Sequence, residues 1–224
     1  MKLYMHPVSM TSRPVRLFIA ENKIACDEEL VDLMTGAHLQ EPYASLNPNC
    51  LVPMLVDGDL KLTESSAILK YLADKIGSPA YPKDLKQRAK VNEMMDWINT
   101  NFYRAWGYSL AYPQLFPHLK ARSDEAQAAM LEAGQANSKK WLKLLNDYWI
   151  GPKNQYLCGN QITIADYFGA GIITLGELIG CDLSPYPNVQ RWLANMKKLP
   201  SWNTINEHFY GLRDAIKEQE FVRI

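Results

Sequence analysis

Three short stretches of this 224-residue chain carry side chains whose types and spacing could do chemistry. The first is Ser9-Met10-Thr11-Ser12-Arg13, between a short apolar run and a segment suited to a buried helix. A hydroxyl in a strand-to-helix loop stands where free backbone N–H groups and the helix dipole favour an anion. It can also simply cap the helix, and Ser12 is the better placed of the two serines for that. The second stretch is Val52-Pro53. A proline at the head of a strand leaves the preceding residue's N–H and C=O outside the ladder. If the bond is cis, Val52 presents both groups outward, ready for an extended peptide. The third is Glu64-Ser65, at the start of a helix. Glu64 can pair an ammonium or complement the helix dipole, and Ser65 can offer its hydroxyl and N–H to a carboxylate.

Other chemistries are disfavoured. Cys26, Cys50, Cys158 and Cys181 form no C-x-x-C pair, and His6, His38, His118 and His208 include no i, i+4 pair. No metal is expected without ligand spacing. Lys plus Arg and Asp plus Glu number 24 each, so there is no electrostatic footprint for nucleic acid or an anionic membrane. A hydrophobic fraction of 47% suits a folded core, yet no window approaches a membrane span. The first residues are too short an apolar stretch for a signal peptide, and the scattered thiols suit a reducing, cytoplasmic setting.

The elements that position these residues change character at about residue 80. Before it, the pattern reads β-α-β-α-β-β-α: a strand over Lys2 to Met5, a helix from about Pro14 to Asn22, a strand over Glu28 to Val31, then a polar stretch. A hairpin follows around Asp57-Gly58, and a helix capped by Thr63 ends at Gly77. Beyond a linker at residues 77–82, strand signals vanish. Val91, Met94, Met95, Ile98, Phe102 and Trp106 step along one helical face. Ala126, Met130, Ala133, Asn137, Trp141, Leu144 and Tyr148 do so more regularly still. Pro113 and Pro117 break the path between them. Thr163-Ile164-Ala165-Asp166 starts a helix to about Gly180, and two shorter ones begin near Pro187 and Ser201. The last fifteen residues lack periodicity.

Three motifs in order, Ser9-x2-Ser12-Arg13, Asn47-Pro48-x3-Val52-Pro53-x-Leu55 and Glu64-Ser65-x2-Ile68, resemble the cytosolic glutathione transferases. The likeness covers residues 2 to about 205 and is nearest to the serine-type theta-like and zeta-like classes. It implies a thioredoxin-like N-terminal domain (1–78) that binds glutathione, followed by a C-terminal helical bundle domain (86–224) that supplies the electrophile pocket. By this resemblance Ser9 occupies the position of the activating serine, with Thr11 and Ser12 as the alternatives. A free thiol has a pKa of about 8.5. Each unit of lowering needs about 1.4 kcal/mol, which one charge-assisted hydrogen bond of about 1.5–3 kcal/mol supplies.

The resemblance further places Val52 and Pro53 against the cysteinyl backbone, Glu64 and Ser65 against the γ-glutamyl end, and His38 near the glycine end. Theta-like members often carry lysines before the Val-Pro pair; Asn49-Cys50-Leu51 stands here instead. The thioredoxin-like redox loop would hold C-x-x-C, whereas Ser9-Met10-Thr11-Ser12 has no such sulfur, which excludes dithiol exchange there. Tyr4, near the position used by tyrosine-type relatives, lies on a strand and is read as a core ring. Asp166 is read as a folding residue that caps its own helix. Met10, Tyr103, Trp106, Tyr108, Tyr112 and Phe116 are the aromatic and apolar candidates for the second-substrate pocket, which Phe209, Tyr210 and the tail either close or leave for a neighbouring subunit. The expected activity is attack of the glutathione thiolate on a small electrophile, by a homodimer. The alternatives are glutathione-dependent isomerisation, suggested by the Ser9, Ser12, Arg16 spacing, dehalogenation, or a non-catalytic adaptor of the same fold.

Overall fold

The structure, a computed structural model, describes residues 1–224. Four strands form one mixed sheet: β1 (Lys2–Met5), β2 (Asp27–Leu30), β3 (Met54–Asp57) and β4 (Leu60–Leu62), in the spatial order β2-β1-β3-β4. β1 pairs in parallel with β2 and antiparallel with β3, so α1 (Ser12–Glu21) makes the crossover that a parallel pair requires. Side chains alternate across the sheet as the pleat demands. Leu3, Met5 and Leu55 enter the main core, whereas Tyr4, Met54 and Val56 join a small cluster with Val31, Tyr43 and Val52. Tyr4 is therefore a packing ring. β3 and β4 turn about Gly58, whose φ of 63° needs glycine's freedom.

Between β2 and β3 lie a short turn (Ala37–Leu39) and α2 (Tyr43–Leu46); after β4 comes α3 (Ser65–Lys75). Thr63 does not cap α3. Glu64 is the residue before its first turn, in the left-handed region at φ 63°, with no side-chain cap. The first-turn amides are left open, which matters for the site.

The remaining helices are α4 (Leu85–Trp97), α5 (Tyr112–Leu115), α6 (Asp124–Leu144), α7 (Ile164–Ile173), α8 (Leu175–Leu178), α9 (Pro187–Met196) and α10 (Trp202–Ile216). This is a thioredoxin-like N-terminal part joined to a helical C-terminal part. Between α4 and α5 the backbone widens to i→i+5 bonding over Ile98–Phe102 and Arg104–Ala111. Pro113 is absorbed in the first turn of α5 instead of ending the path. The predicted helix to Gly180 is broken at Thr174 into α7 and α8. The stripe expected from α4 to Trp106 is buried throughout.

The α6 stripe differs. Ala126, Ala133, Asn137 and Tyr148 are exposed, and the inward face is instead Leu131, Gly134, Ser138 and Leu142. A Cβ on Gly134 would lie 2.5 Å from the Ser109 carbonyl oxygen, so close approach to the widened helix selects the face with small residues rather than the bulkier periodic one.

One cluster of 44 buried apolar residues runs through both parts, so they share a core rather than hinge on a linker. The junction is pinned as well: Ile164 N donates to Ala80 O at 2.9 Å, and Arg88 lies over the Tyr81 ring. The tail is ordered against its own helices. Val222 exchanges two bonds with the Gln114 side chain (2.7 and 2.9 Å), and Asp182 N donates to Ile224 O.

Candidate functional site

A cleft opens between the sheet's β3 end and the widened helix, lined by Thr11, Asn47, Asn49, Leu51, Val52 and Pro53 on one wall. Thr63, Glu64, Ser65 and Ser66 continue it, and Asn99, Tyr103, Tyr108 and Phe168 close the helical side. Val52, Pro53, Glu64 and Ser65 thus converge as the motif order predicts. Ser9 is not itself a lining residue; its hydroxyl joins the lining through Thr11.

The Ser9 loop forms because Ser9 N donates to His6 O and Arg13 N to Ser9 O, each at 3.0 Å, which starts α1. Ser9 Oγ accepts from Thr11 N at 3.4 Å and Ser12 N at 3.2 Å. The helix is therefore served by Ser9's oxygen and not by Ser12, which is fully buried with its hydroxyl unpartnered. This division of labour sets the direction of the protons. Val52 O can only accept, so Thr11 Oγ1 donates to it at 3.1 Å. Thr11 Oγ1 is then free to accept from Ser9 Oγ, also at 3.1 Å. With its lone pairs occupied by amides, Ser9 has a proton to give. A thiolate arriving nearby is a stronger acceptor than a neutral hydroxyl and would draw that proton to itself.

The Val52–Pro53 bond is cis, and the Val52 N–H has no partner within the protein. Its carbonyl carries only the Thr11 bond, leaving one lone pair. At the far end, Ser65 is buried at the first position of α3, whose leading amides have no cap, and Glu64 is exposed beside it. A carboxylate finds N–H donors there, and an ammonium finds Glu64.

The helical wall contributes what periodicity alone did not reveal. Tyr103, Tyr108 and Tyr112 meet ring to ring at 5.2, 5.3 and 5.9 Å because an i→i+5 turn brings residues five apart to one face. Tyr103 and Tyr112 share a hydroxyl–hydroxyl bond. Burial raises the pKa of all three, so they are donors at neutral pH. Trp106 is core, its indole N–H bonded to Ile173 O, and Met10 is buried against Arg13. Phe116 packs at a tilt against Tyr112, outside the cleft lining. Phe209 is fully buried with the Arg13 guanidinium 3.8 Å from its ring centre.

His38 sits on the Ala37–Leu39 turn, away from the cleft lining, with Nδ1 buried and unpartnered. Near the Val52 end the lining is Asn47, Asn49 and Leu51 instead. Asn47 is structural: its amide donates to Leu51 O and its oxygen accepts from Asn49 N. The Ser12 and Arg16 of the spacing Ser9, Ser12, Arg16 do not reach the cleft, since Arg16 pairs bidentately with Glu28 at 2.8 Å. Thr11, an alternative to Ser9 as the activating hydroxyl, lines the cleft, and Asn49, Ser66 and Asn99 line it without having been singled out as ligands. Polar residues of this kind carry no spacing signal until the fold gathers them.

A four-stranded mixed sheet, a hydroxyl with an available proton, an unpaired backbone edge and an open helix N-terminus define a cleft suited to an extended peptide with a terminal carboxylate. Comparison with known proteins narrows this. The family models for the glutathione S-transferase N-terminal and C-terminal domains match residues 1–74 and 108–200. Glutathione S-transferase T1 of Arabidopsis thaliana is 35% identical over 98% of this chain and 93% of its own length. Glutathione S-transferase T3 of the same plant is 34% identical over 98% of this chain, which spans only 38% of that longer protein. The crystal structure of human glutathione transferase theta-2, in complex with glutathione and an unknown ligand, superposes with a TM-score of 0.86. It covers all of this chain and 93% of the other, at 26% identity. The chain belongs to the glutathione S-transferase family.

Proposed function

We propose that this protein is a glutathione transferase that holds glutathione along the cleft and presents its sulfur, as thiolate, to a small apolar or aromatic electrophile. The observation that carries the reading is the proton chain from Ser9 through Thr11 to Val52 O, beside a Val52 N–H that nothing else uses. In this reading the cysteinyl backbone pairs with Val52, next to Pro53, and the γ-glutamyl carboxylate and ammonium meet Ser65 and Glu64. The glycine carboxylate takes the Asn49 side or His38. Ser9 redirects its proton from Thr11 to sulfur. Proximity and ionisation of the thiol then supply most of the rate. The electrophile lies against Tyr103 and Tyr108.

The glutathione-binding part spans residues 1–78 and the helical part 86–224 in this proposal. The chain acts in the cytoplasm as a homodimer in this proposal; no helix is long and apolar enough to cross a membrane. Conjugation is favoured over isomerisation because, of the two residues that suggested the latter, Ser12 is fully buried outside the cleft lining and Arg16 is paired with Glu28.

The test is Ser9→Ala assayed with glutathione and a model aryl halide. Turnover falls at least about tenfold, the scale of one lost transition-state hydrogen bond. Unchanged turnover removes Ser9 from the role.

A further inference from the structure

Arg13 is 2% exposed, yet no carboxylate bonds to it. Its guanidinium donates to Asn206 Oδ1, to Gly171 O at 3.1 Å, to Thr174 Oγ1 at 2.9 Å and towards Met10 Sδ at 2.9 Å. Phe209 covers one face, and Nε has no partner. Every one of these acceptors is neutral. A buried cation is normally paired, because nothing else offsets its lost hydration.

Burial lowers its pKa to about 10, with Glu177 opposing, so it stays charged at neutral pH. Glu177, on α8, lies 2.7 Å from Lys197 and is already matched. The other titratable groups acting on Arg13 are the phenols of Tyr210 on α10 and of Tyr112 and Tyr103 on the helical wall. On the other side of the Ser9 loop stand His6 and Asp32, 3.7 Å apart.

The location gives this unmatched charge a use. Arg13 N bonds to Ser9 O, so the residue is one helical turn from Ser9, and its side chain touches Met10, the next residue after Ser9. Beyond it lies Tyr103, which lines the cleft.

We propose that Arg13 is the fixed counter-charge of the bound thiolate, a positioning residue that favours the ionised sulfur through the protein interior without touching it. The inference rests on the glutathione reading above. It divides the work at the sulfur: Ser9 supplies the directed proton, and Arg13 supplies the field. Held by neutral dipoles, the guanidinium keeps its full charge for the ligand, whereas a carboxylate partner would cancel it.

The test uses the full chain with glutathione, reading thiolate absorption of the bound ligand against pH. A unit charge acting across several residues through an effective dielectric near 20 shifts a pKa by on the order of one unit. Asn206→Asp places a carboxylate on the guanidinium and raises the bound-thiol pKa by about that much. Asn206→Ala removes the same amide without adding charge and leaves the pKa near that of the unmodified protein. Arg13→Gln raises it, and Arg13→Lys raises it less. If Arg13 only braces the fold, Asn206→Asp and Asn206→Ala titrate alike, and that result overturns the proposal even if Arg13 variants fail to fold. A protein that takes up no glutathione at all overturns both this inference and the function it rests on.

Discussion

Asp166 offers the sharpest link between a single side chain and the scaffold behind the cleft. It is completely buried; Oδ1 accepts from Leu157 N at 2.7 Å and Trp192 Nε1 at 2.9 Å, and Oδ2 from Thr163 N at 2.7 Å and Thr163 Oγ1 at 2.9 Å. Replacement by Ala orphans three N–H donors, at about 2 kcal/mol each, while the Thr163 hydroxyl can rotate. Against this, burial pushes the carboxyl up to about 6 despite the four donors, so the charged form is strained at neutral pH. Relief of that buried charge returns about 3 kcal/mol, at about 1.4 kcal/mol per unit. The net loss for Asp166→Ala is about 3 kcal/mol at pH 7.5.

The pH dependence has a definite sign. A carboxyl whose folded pKa lies above its unfolded one contributes most below the unfolded value and loses that contribution as pH rises through about 6. Moving from pH 7.5 to pH 5 therefore favours the unmodified protein over the non-titrating variant by a further ~1.3 kcal/mol. Urea unfolding followed by tryptophan fluorescence at the two pH values measures both quantities. A loss below about 1 kcal/mol at pH 7.5, or a gap that narrows on acidification, refutes the reasoning.

Two further substitutions probe the surroundings of Ser9. Ser12→Ala removes a buried hydroxyl without a partner, so stability holds or rises slightly and turnover with an aryl halide stays within about twofold, as unfolding and steady-state assays will show. Gly171→Ala would put a Cβ 2.3 Å from Pro14 Cγ and 2.9 Å from Met10 O, neither of which can yield cheaply. It costs about 1–3 kcal/mol in urea unfolding and lowers turnover by displacing the start of α1; a neutral effect on both contradicts the tight docking of α1 on α7.

Features fixed by local chemistry were legible in the sequence. The Asp57-Gly58 turn, the run of strands and the capping of α7 by Thr163 and Asp166 all follow from neighbours in the chain. The three separated motifs likewise find one cleft, because each sits at the end of an element whose place in the sheet is determined by its order. What depends on packing was hidden. The inward face of α6 was set by Gly134 meeting Ser109, not by the most regular stripe. The i→i+5 widening that aligns Tyr103, Tyr108 and Tyr112 leaves no mark in an α-helical period. Thr63 looked like a cap, but the chain uses the left-handed Glu64 and leaves the amides of α3 open. Arg13, read as part of a motif, gains its meaning only from the neutral acceptors that α7 and α10 bring to its guanidinium.

The most direct test of the account is the titration of glutathione's sulfur on the unmodified protein, with calorimetry confirming occupancy. The account predicts ionisation about one to two units below the ~8.5 of a free thiol, as one directed hydroxyl and its surroundings require. A bound sulfur that ionises where it does in free solution contradicts it.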